Sequence, residues 1–203
     1  HIRTMLQMER ISGLWKEKYG ADWTEDDVEK FYSLFEEKLL SILDQFAEVK
    51  PYVLKTIEEL RKKDIRIGST TGYTDKMMAI VTAKAKENGY EPDAWFSPDS
   101  TGNVGRPYPY MIFRNIEALK IRNVREVMKV GDTVSDIKEG KNAGVYTVGV
   151  IEGSSEMGLT QKEYEALDKA EKQSRIQAVK EKFIQAGADK VILNMKELLK
   201  MFD

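Results

Sequence analysis

Cysteine is absent from the 203 residues. That excludes a disulfide framework, a thiolate nucleophile and a cysteine-ligated zinc. Histidine occurs once, as His1, so an ordinary Ser-His-Asp triad and a multi-histidine metal centre cannot be assembled from these residues. Charge of one sign is lacking as well. Thirty-four acidic side chains against 32 basic ones leave a net −2, with no global basic field to recruit nucleic acid or anionic lipid. No apolar run approaches the roughly eighteen residues of a membrane helix, and the mean hydropathy is −0.49. The opening His1-Ile2-Arg3-Thr4 lacks the apolar centre of a signal peptide. A soluble, cytoplasmic protein is expected, with no nucleic-acid or membrane partner. What is present suffices for a core: 41% of the residues are apolar and 33% charged, as expected of one domain or one domain with a small appendage.

Two regions differ in pattern. In residues 1–48 the apolar residues recur at helical spacing. Ile2, Met5, Met8, Ile11 and Trp15 form one stripe, closed by Gly20 as a C-terminal cap. Thr24 and Asp27 read as a capping box opening a second helix, striped by Val28, Phe31, Phe35, Leu39, Ile42 and Phe46. These stripes are read as packing surface. Residue 1 already lies inside the helical pattern with no capping residue before it, so the sequence reads as a fragment lacking an upstream part. From about residue 49 onward, short apolar strands alternate with helices. Strands are expected at Ile65–Thr71, Ala94–Ser97, Glu126–Val130, Val145–Ile151 and Lys190–Leu193. Helices are expected at Tyr52–Lys63, Thr74–Asn88, Pro107–Leu119, Val134–Asn142, Lys162–Asp168 and Lys169–Ala186, with a last one capped by Asn194. The near-continuous apolar strands imply an α/β fold with a doubly wound parallel sheet over residues 49–203.

In such sheets the site lies beyond the carboxyl ends of the strands, and three segments there can carry chemistry. Gly68-Ser69-Thr70-Thr71-Gly72-Tyr73-Thr74 runs from a strand through a hydroxyl-rich turn into a helix start, where backbone amides can hold an anion. Thr74 itself reads as a helix cap. Val130-Gly131-Asp132-Thr133-Val134-Ser135-Asp136 places two carboxylates at a strand end. With no base between them they repel, and a hard divalent cation such as Mg²⁺ relieves that. The same acids also suit a helix cap and a first-turn position, an equally good reading of this motif by itself. Gly105-Arg106-Pro107 offers a guanidinium ahead of a helix, able to clamp a phosphoryl oxygen or simply to be solvated.

Taken together and in this order, the three segments resemble the haloacid dehalogenase superfamily of phosphotransferases. Within it, Gly68–Thr74, Gly105-Arg106-Pro107-Tyr108-Pro109, Val130–Asp136, Gly153-Ser154-Ser155-Glu156, Met77-Met78 and Lys138–Gly144 resemble the phosphonatase (phosphonoacetaldehyde hydrolase) family over essentially the whole sequence. The resemblance implies a Rossmann-like core at 49–203, with its first strand outside this sequence, and a partial helical cap at 1–48. It implies cleavage of the C–P bond of phosphonoacetaldehyde to acetaldehyde and phosphate, through a lysine imine and an aspartyl-phosphate. By the same likeness Thr71 binds a phosphonyl oxygen, Arg106 neutralises it, and Gly72 and Tyr73 line the pocket. Asp132 ligates Mg²⁺ directly and Asp136 acts as the second acid, through water or by orienting ligands. His1 assists proton transfer near the imine lysine, and a homodimer forms through the cap helices. The family's nucleophilic aspartate and imine lysine match no residue here; both are expected upstream of His1, and the 203 residues alone are expected to be inactive and poorly stable. Two alternatives remain: another capped phosphatase or phosphomutase of the superfamily, or a non-catalytic binding protein on the same fold. A receiver-type signalling domain fits less well, given the helical hairpin and the length.

Overall fold

The computed structural model describes residues 2–202. The chain divides into two compact units, His1–Ala47 and Glu48–Asp203.

The first unit is helical. The single helix expected from residue 2 to Gly20 is two: α1 (Ile2–Leu6) and α2 (Glu9–Tyr19). The ladder tightens where Met8 N–H reaches back three residues to Met5, and Met8 itself is extended (φ −64°, ψ 128°). The apolar stripe runs through this break because spacing specifies a face and leaves the hydrogen-bond ladder open. Gly20 closes α2 in the left-handed region at φ 73°. The Thr24–Asp27 capping box opens α3 (Glu25–Leu40), and Arg3 ties α1 to its start through Glu25 at 2.6 Å. Trp15 packs on Tyr19 and edge-on to Phe31, with centroids 4.4 and 5.6 Å apart.

The second unit runs α4 (Val53–Lys62), β1 (Gly68–Thr70), α5 (Asp75–Glu87), β2 (Ala94–Phe96), α6 (Tyr110–Ala118), β3 (Met128–Gly131), α7 (Val134–Ala143), β4 (Tyr146–Val150), α8 (Gln161–Ala166), α9 (Lys169–Gln185) and β5 (Lys190–Ile192). Every strand pairing is parallel. The strands form two sheets, β1-β2 and β3-β4-β5, where one continuous sheet is the simplest expectation from the pattern. Helix α6 starts later than Pro107: proline lacks an amide donor and restricts the residue before it, so the ladder begins only after Pro109. The last helix is a 3-10 segment, Met195–Met201, entered through the Asn194 side chain.

Strand β4 shows why the fold is layered. Val148 and Val150 enter a cluster with Leu60, Ile192 and Leu198. Gly149 points the other way, as alternation requires, and the Phe183 ring lies 2.6 Å from where its Cβ would be. Phe183 belongs to a second cluster with Ile137, Ile151, Met157, Tyr164 and Val179. The sheet is therefore buried on both faces, which leaves strand ends as the places where polar chemistry can sit. Among the described residues no helix is long and apolar enough to cross a membrane.

Candidate active site

Strand β1 stops at Thr70, and the chain turns into α5. Thr71 continues the ladder by donating its amide to Phe96 O at 3.3 Å. Its hydroxyl oxygen accepts the Tyr73 amide at 3.1 Å, which draws the turn closed over Gly72. Thr74 caps α5 by accepting from Met77 N. The helix start is fixed further by β2's end, where Asp99 accepts the Asp75 amide at 2.8 Å.

Strand β3 ends at Gly131 and leads into α7. Thr133 is the N-cap: its hydroxyl accepts the Asp136 amide at 3.0 Å and donates to Asp136 Oδ2 at 2.6 Å. Asp136 thus sits in the first turn and folds back over Gly131. A Cβ on Gly131 would stand 2.2 Å from Asp136 Cβ, far inside the contact distance of non-bonded carbon atoms, so the close approach needs glycine.

Asp136 is 3% exposed, and its Oδ1 meets two cations. The Arg106 guanidinium donates from Nη1 at 2.5 Å and the Lys129 ammonium lies at 2.9 Å. Burial by itself pushes this carboxyl up; the Lys129 charge, then that of Arg106, then the Thr133 hydroxyl overturn the effect and bring it down to about 2. The other end of the guanidinium reaches the first turn: Arg106 Nη2 lies 3.1 Å from the position of a Gly72 Cβ. One arginine thus spans from the acid of α7 to the hydroxyl-rich turn after β1.

Lys129 is the residue that sequence reasoning missed. It sits inside β3, whose Met128 and Val130 pack toward the Val148 cluster, so its side chain leaves by the opposite face. There its ammonium lies 2.7 Å from Glu139 Oε2 and 2.7 Å from Thr70 Oγ1, in addition to Asp136. Glu139 is fully buried in α7, three residues beyond Asp136 on the same helix face. A lysine in an otherwise apolar strand, with two acids at that spacing in the next helix, was the available signal. Asp136 and Glu139 are not left to repel: Lys129 bonds both, and Arg106 adds a second cation on Asp136.

Asp132 is held separately. Its Oδ2 accepts from Ser155 N at 2.9 Å and Ser155 Oγ at 3.2 Å. The neighbouring Glu156 accepts the Val134 amide at 3.3 Å, which ties residues 153–156 to the start of α7. As a hard-oxygen donor, Asp132 fits a divalent cation, because the Ser155 bonds engage only one carboxylate oxygen. Asp136 does not fit as a direct ligand in this arrangement: Oδ1 is taken by two cations and Oδ2 by Thr133. Among the described residues no three His, Cys, Asp or Glu side chains cluster as a metal site, and a magnesium ion at Asp132 would keep several water ligands. Tyr73 is 38% exposed beside the turn. His1 lies outside the described residues.

A pH dependence follows from Asp136. Its folded-state pKa is below the unfolded value, so the stabilisation is complete above the unfolded pKa and is lost as pH falls through about 2. The depression is worth roughly 2 kcal/mol. The urea midpoint is expected to drop between pH 4 and pH 2, and to drop less steeply in Asp136→Asn. Equal slopes in the two proteins would place the acid sensitivity elsewhere.

The chain matches the family model described as haloacid dehalogenase-like hydrolase over residues 3–144. It is 50% identical over 198 residues to a phosphonoacetaldehyde hydrolase of Lysinibacillus sphaericus, covering 98% of this chain and 74% of that one. It is 48% identical over 198 residues to the phosphonoacetaldehyde hydrolase of Bacillus cytotoxicus, covering 98% and 75% respectively. Its fold superposes on a crystal structure of a phosphonoacetaldehyde hydrolase-like protein from Oleispira antarctica with a TM-score of 0.91 at 33% identity, covering 99% of this chain and 72% of the other.

Proposed function

Since this chain belongs to the haloacid dehalogenase-like hydrolases, and among them to the phosphonoacetaldehyde hydrolase family, we propose that it cleaves the C–P bond of phosphonoacetaldehyde to give acetaldehyde and phosphate. The observation that carries this reading is the placement of Arg106, whose guanidinium links buried Asp136 to the turn at Gly72. A cation held there by a carboxylate, beside backbone amides at a helix start, suits a phosphoryl dianion.

In this proposal Thr71 and the amides of the turn bind one phosphonyl oxygen. Arg106 neutralises a second, and its charge stabilises the more negative transition state. Asp132 would hold magnesium, which when bound would supply a hard cation to offset phosphoryl charge. Gly72 admits the phosphonyl group close to the backbone, and Tyr73 borders it. The carbon side of the reaction needs an electron sink, because an unstabilised carbanion is a poor leaving group. By family resemblance a lysine imine provides it and an aspartate attacks phosphorus; neither role is assigned to any residue of this sequence. The identity of the metal, the Schiff base, a cytoplasmic location and a homodimer built on the exposed apolar side chains of the helical unit all belong to this proposal, as does a cap role for residues 1–48.

The natural full-length protein, incubated with phosphonoacetaldehyde and magnesium, is expected to release acetaldehyde and inorganic phosphate in equal amounts. Borohydride is expected to inactivate it only while the aldehyde is present. Phosphate release from phosphomonoesters, with none from phosphonoacetaldehyde, would replace this reading with that of another capped phosphatase.

A further inference from the structure

The ammonium of Lys129 has three hydrogens and three acceptors, each from a different side chain. They are Asp136 Oδ1 at 2.9 Å, Glu139 Oε2 at 2.7 Å and Thr70 Oγ1 at 2.7 Å. Thr70 in turn donates to Glu139 Oε2 at 2.8 Å. The lysine is 9% exposed and Glu139 is fully buried. One side chain from β3 therefore joins the end of β1 to the first two turns of α7. Thr70 immediately precedes Thr71, so the brace ends beside the hydroxyl assigned to the phosphonyl group.

The charges add up to a neutral cluster: Arg106 and Lys129 against Asp136 and Glu139. That balance poses a problem for a phosphoryl site. Arg106 holds Asp136 through Nη1 while Nη2 faces the Gly72 turn, so a phosphoryl oxygen there draws on a charge that Asp136 already uses. A buried carboxylate stripped of its only counter-ion is strongly unfavourable. Asp136 has a second counter-ion on the same oxygen, and that one is buried and anchored at both other hydrogens.

We propose that Lys129 is a positioning residue that keeps Asp136 neutralised while the charge of Arg106 is drawn, through Nη2, to a phosphoryl oxygen. Glu139 sets how much of the lysine's charge reaches Asp136, because the two carboxylates share one ammonium. The inference rests on the phosphoryl-site reading of Arg106 and Gly72 given above, and it assigns their neighbour a part in freeing the arginine's charge for that site.

The two partners of the pair have opposite expected effects, which a purely structural role would not produce. In Lys129→Met, Arg106 is the one cation left on Asp136 among the described residues, and its charge stays committed to that carboxylate. In Glu139→Gln, the lysine's charge is concentrated on Asp136 and Arg106 is freer. The measurement is inorganic phosphate binding to the natural full-length protein with magnesium present, by calorimetry and by competitive inhibition, alongside KM, kcat and the urea midpoint. Lys129→Met is expected to weaken phosphate binding and raise KM by roughly tenfold or more, with a smaller change in kcat. The double variant Lys129→Met/Glu139→Gln removes both charges, so it keeps the fold without an unpaired carboxylate; it is expected to remain weak in phosphate binding. Glu139→Gln alone is expected to bind phosphate as tightly as the wild type or more tightly. Weaker phosphate binding by Glu139→Gln, or unchanged binding by a folded Lys129 variant, overturns the inference. If the wild type binds phosphate but does not turn over phosphonoacetaldehyde, the substrate assignment fails and the lysine comparison still reads out. A wild type that binds no phosphate overturns both.

Discussion

Replacing Arg106 with methionine is expected to lower kcat/KM for phosphonoacetaldehyde by roughly a thousandfold or more in the natural enzyme. The substitution keeps most of the side chain's length and removes the guanidinium that bonds Asp136 and faces the Gly72 turn. The fold should survive, because Asp136 retains the Lys129 ammonium at 2.9 Å and the Thr133 hydroxyl at 2.6 Å. Arg106→Lys should restore only part of the activity. A lysine is a point charge on a flexible stem and cannot offer two parallel donors, one toward the acid and one toward the incoming oxygen. Steady-state kinetics and a urea midpoint measured on the same preparations check this. A methionine variant within tenfold of wild type would remove Arg106 from the phosphoryl site, and with it the observation on which the proposed function depends.

Gly131→Ala is expected to cost both stability and rate. Its Cβ would lie 2.2 Å from Asp136 Cβ and 2.8 Å from Cγ, so the first turn of α7 has to move away from β3. Overpacking of this kind costs about 1–3 kcal/mol. The movement displaces the carboxylate that orients Arg106, and a misplacement of about an ångström can cost on the order of a hundredfold in rate. The expected result is therefore a lowered urea midpoint together with a lowered kcat/KM that added magnesium does not restore. A variant that is destabilised but fully active would show that Asp136 can shift without consequence for the reaction.

Much of the architecture was legible because local signals agreed with the global pattern. Thr24, Thr74 and Asn194 read correctly as the residues entering their helices, and the parallel α/β order followed from apolar strands separated by helices. The failures have specific causes. The break at Met8 is a backbone event within an unbroken apolar stripe, and spacing carries no information about it. The expected start of helix α6 at Pro107 falls too early, because a second proline at 109 moves the first usable amide to a later position. Asp132, Thr71 and Gly72 could be named as candidates because they lie in short segments at strand ends, and Arg106 because it precedes a helix. Lys129 could not be found that way. Its partners lie 59 residues earlier in the chain at Thr70 and ten residues later at Glu139. Only the folded chain shows that the acids of α7 are matched by a lysine from the strand, and that Asp136 is engaged with protein cations.

Glu156 links two distant parts of the second unit. One of its oxygens accepts the Val134 amide at 3.3 Å, and the other meets the Lys182 ammonium of α9 at 3.2 Å, with that lysine side chain 54% exposed. The contact to α9 faces solvent, whereas the Arg106–Asp136–Lys129 cluster is shielded from it. Added electrolyte screens the first far more than the second. As ionic strength rises, the loop that steadies Asp132 loosens while the arginine side of the pocket stays intact; if Asp132 holds a divalent cation as proposed, the apparent requirement for that cation is expected to grow before recognition of the phosphonate weakens.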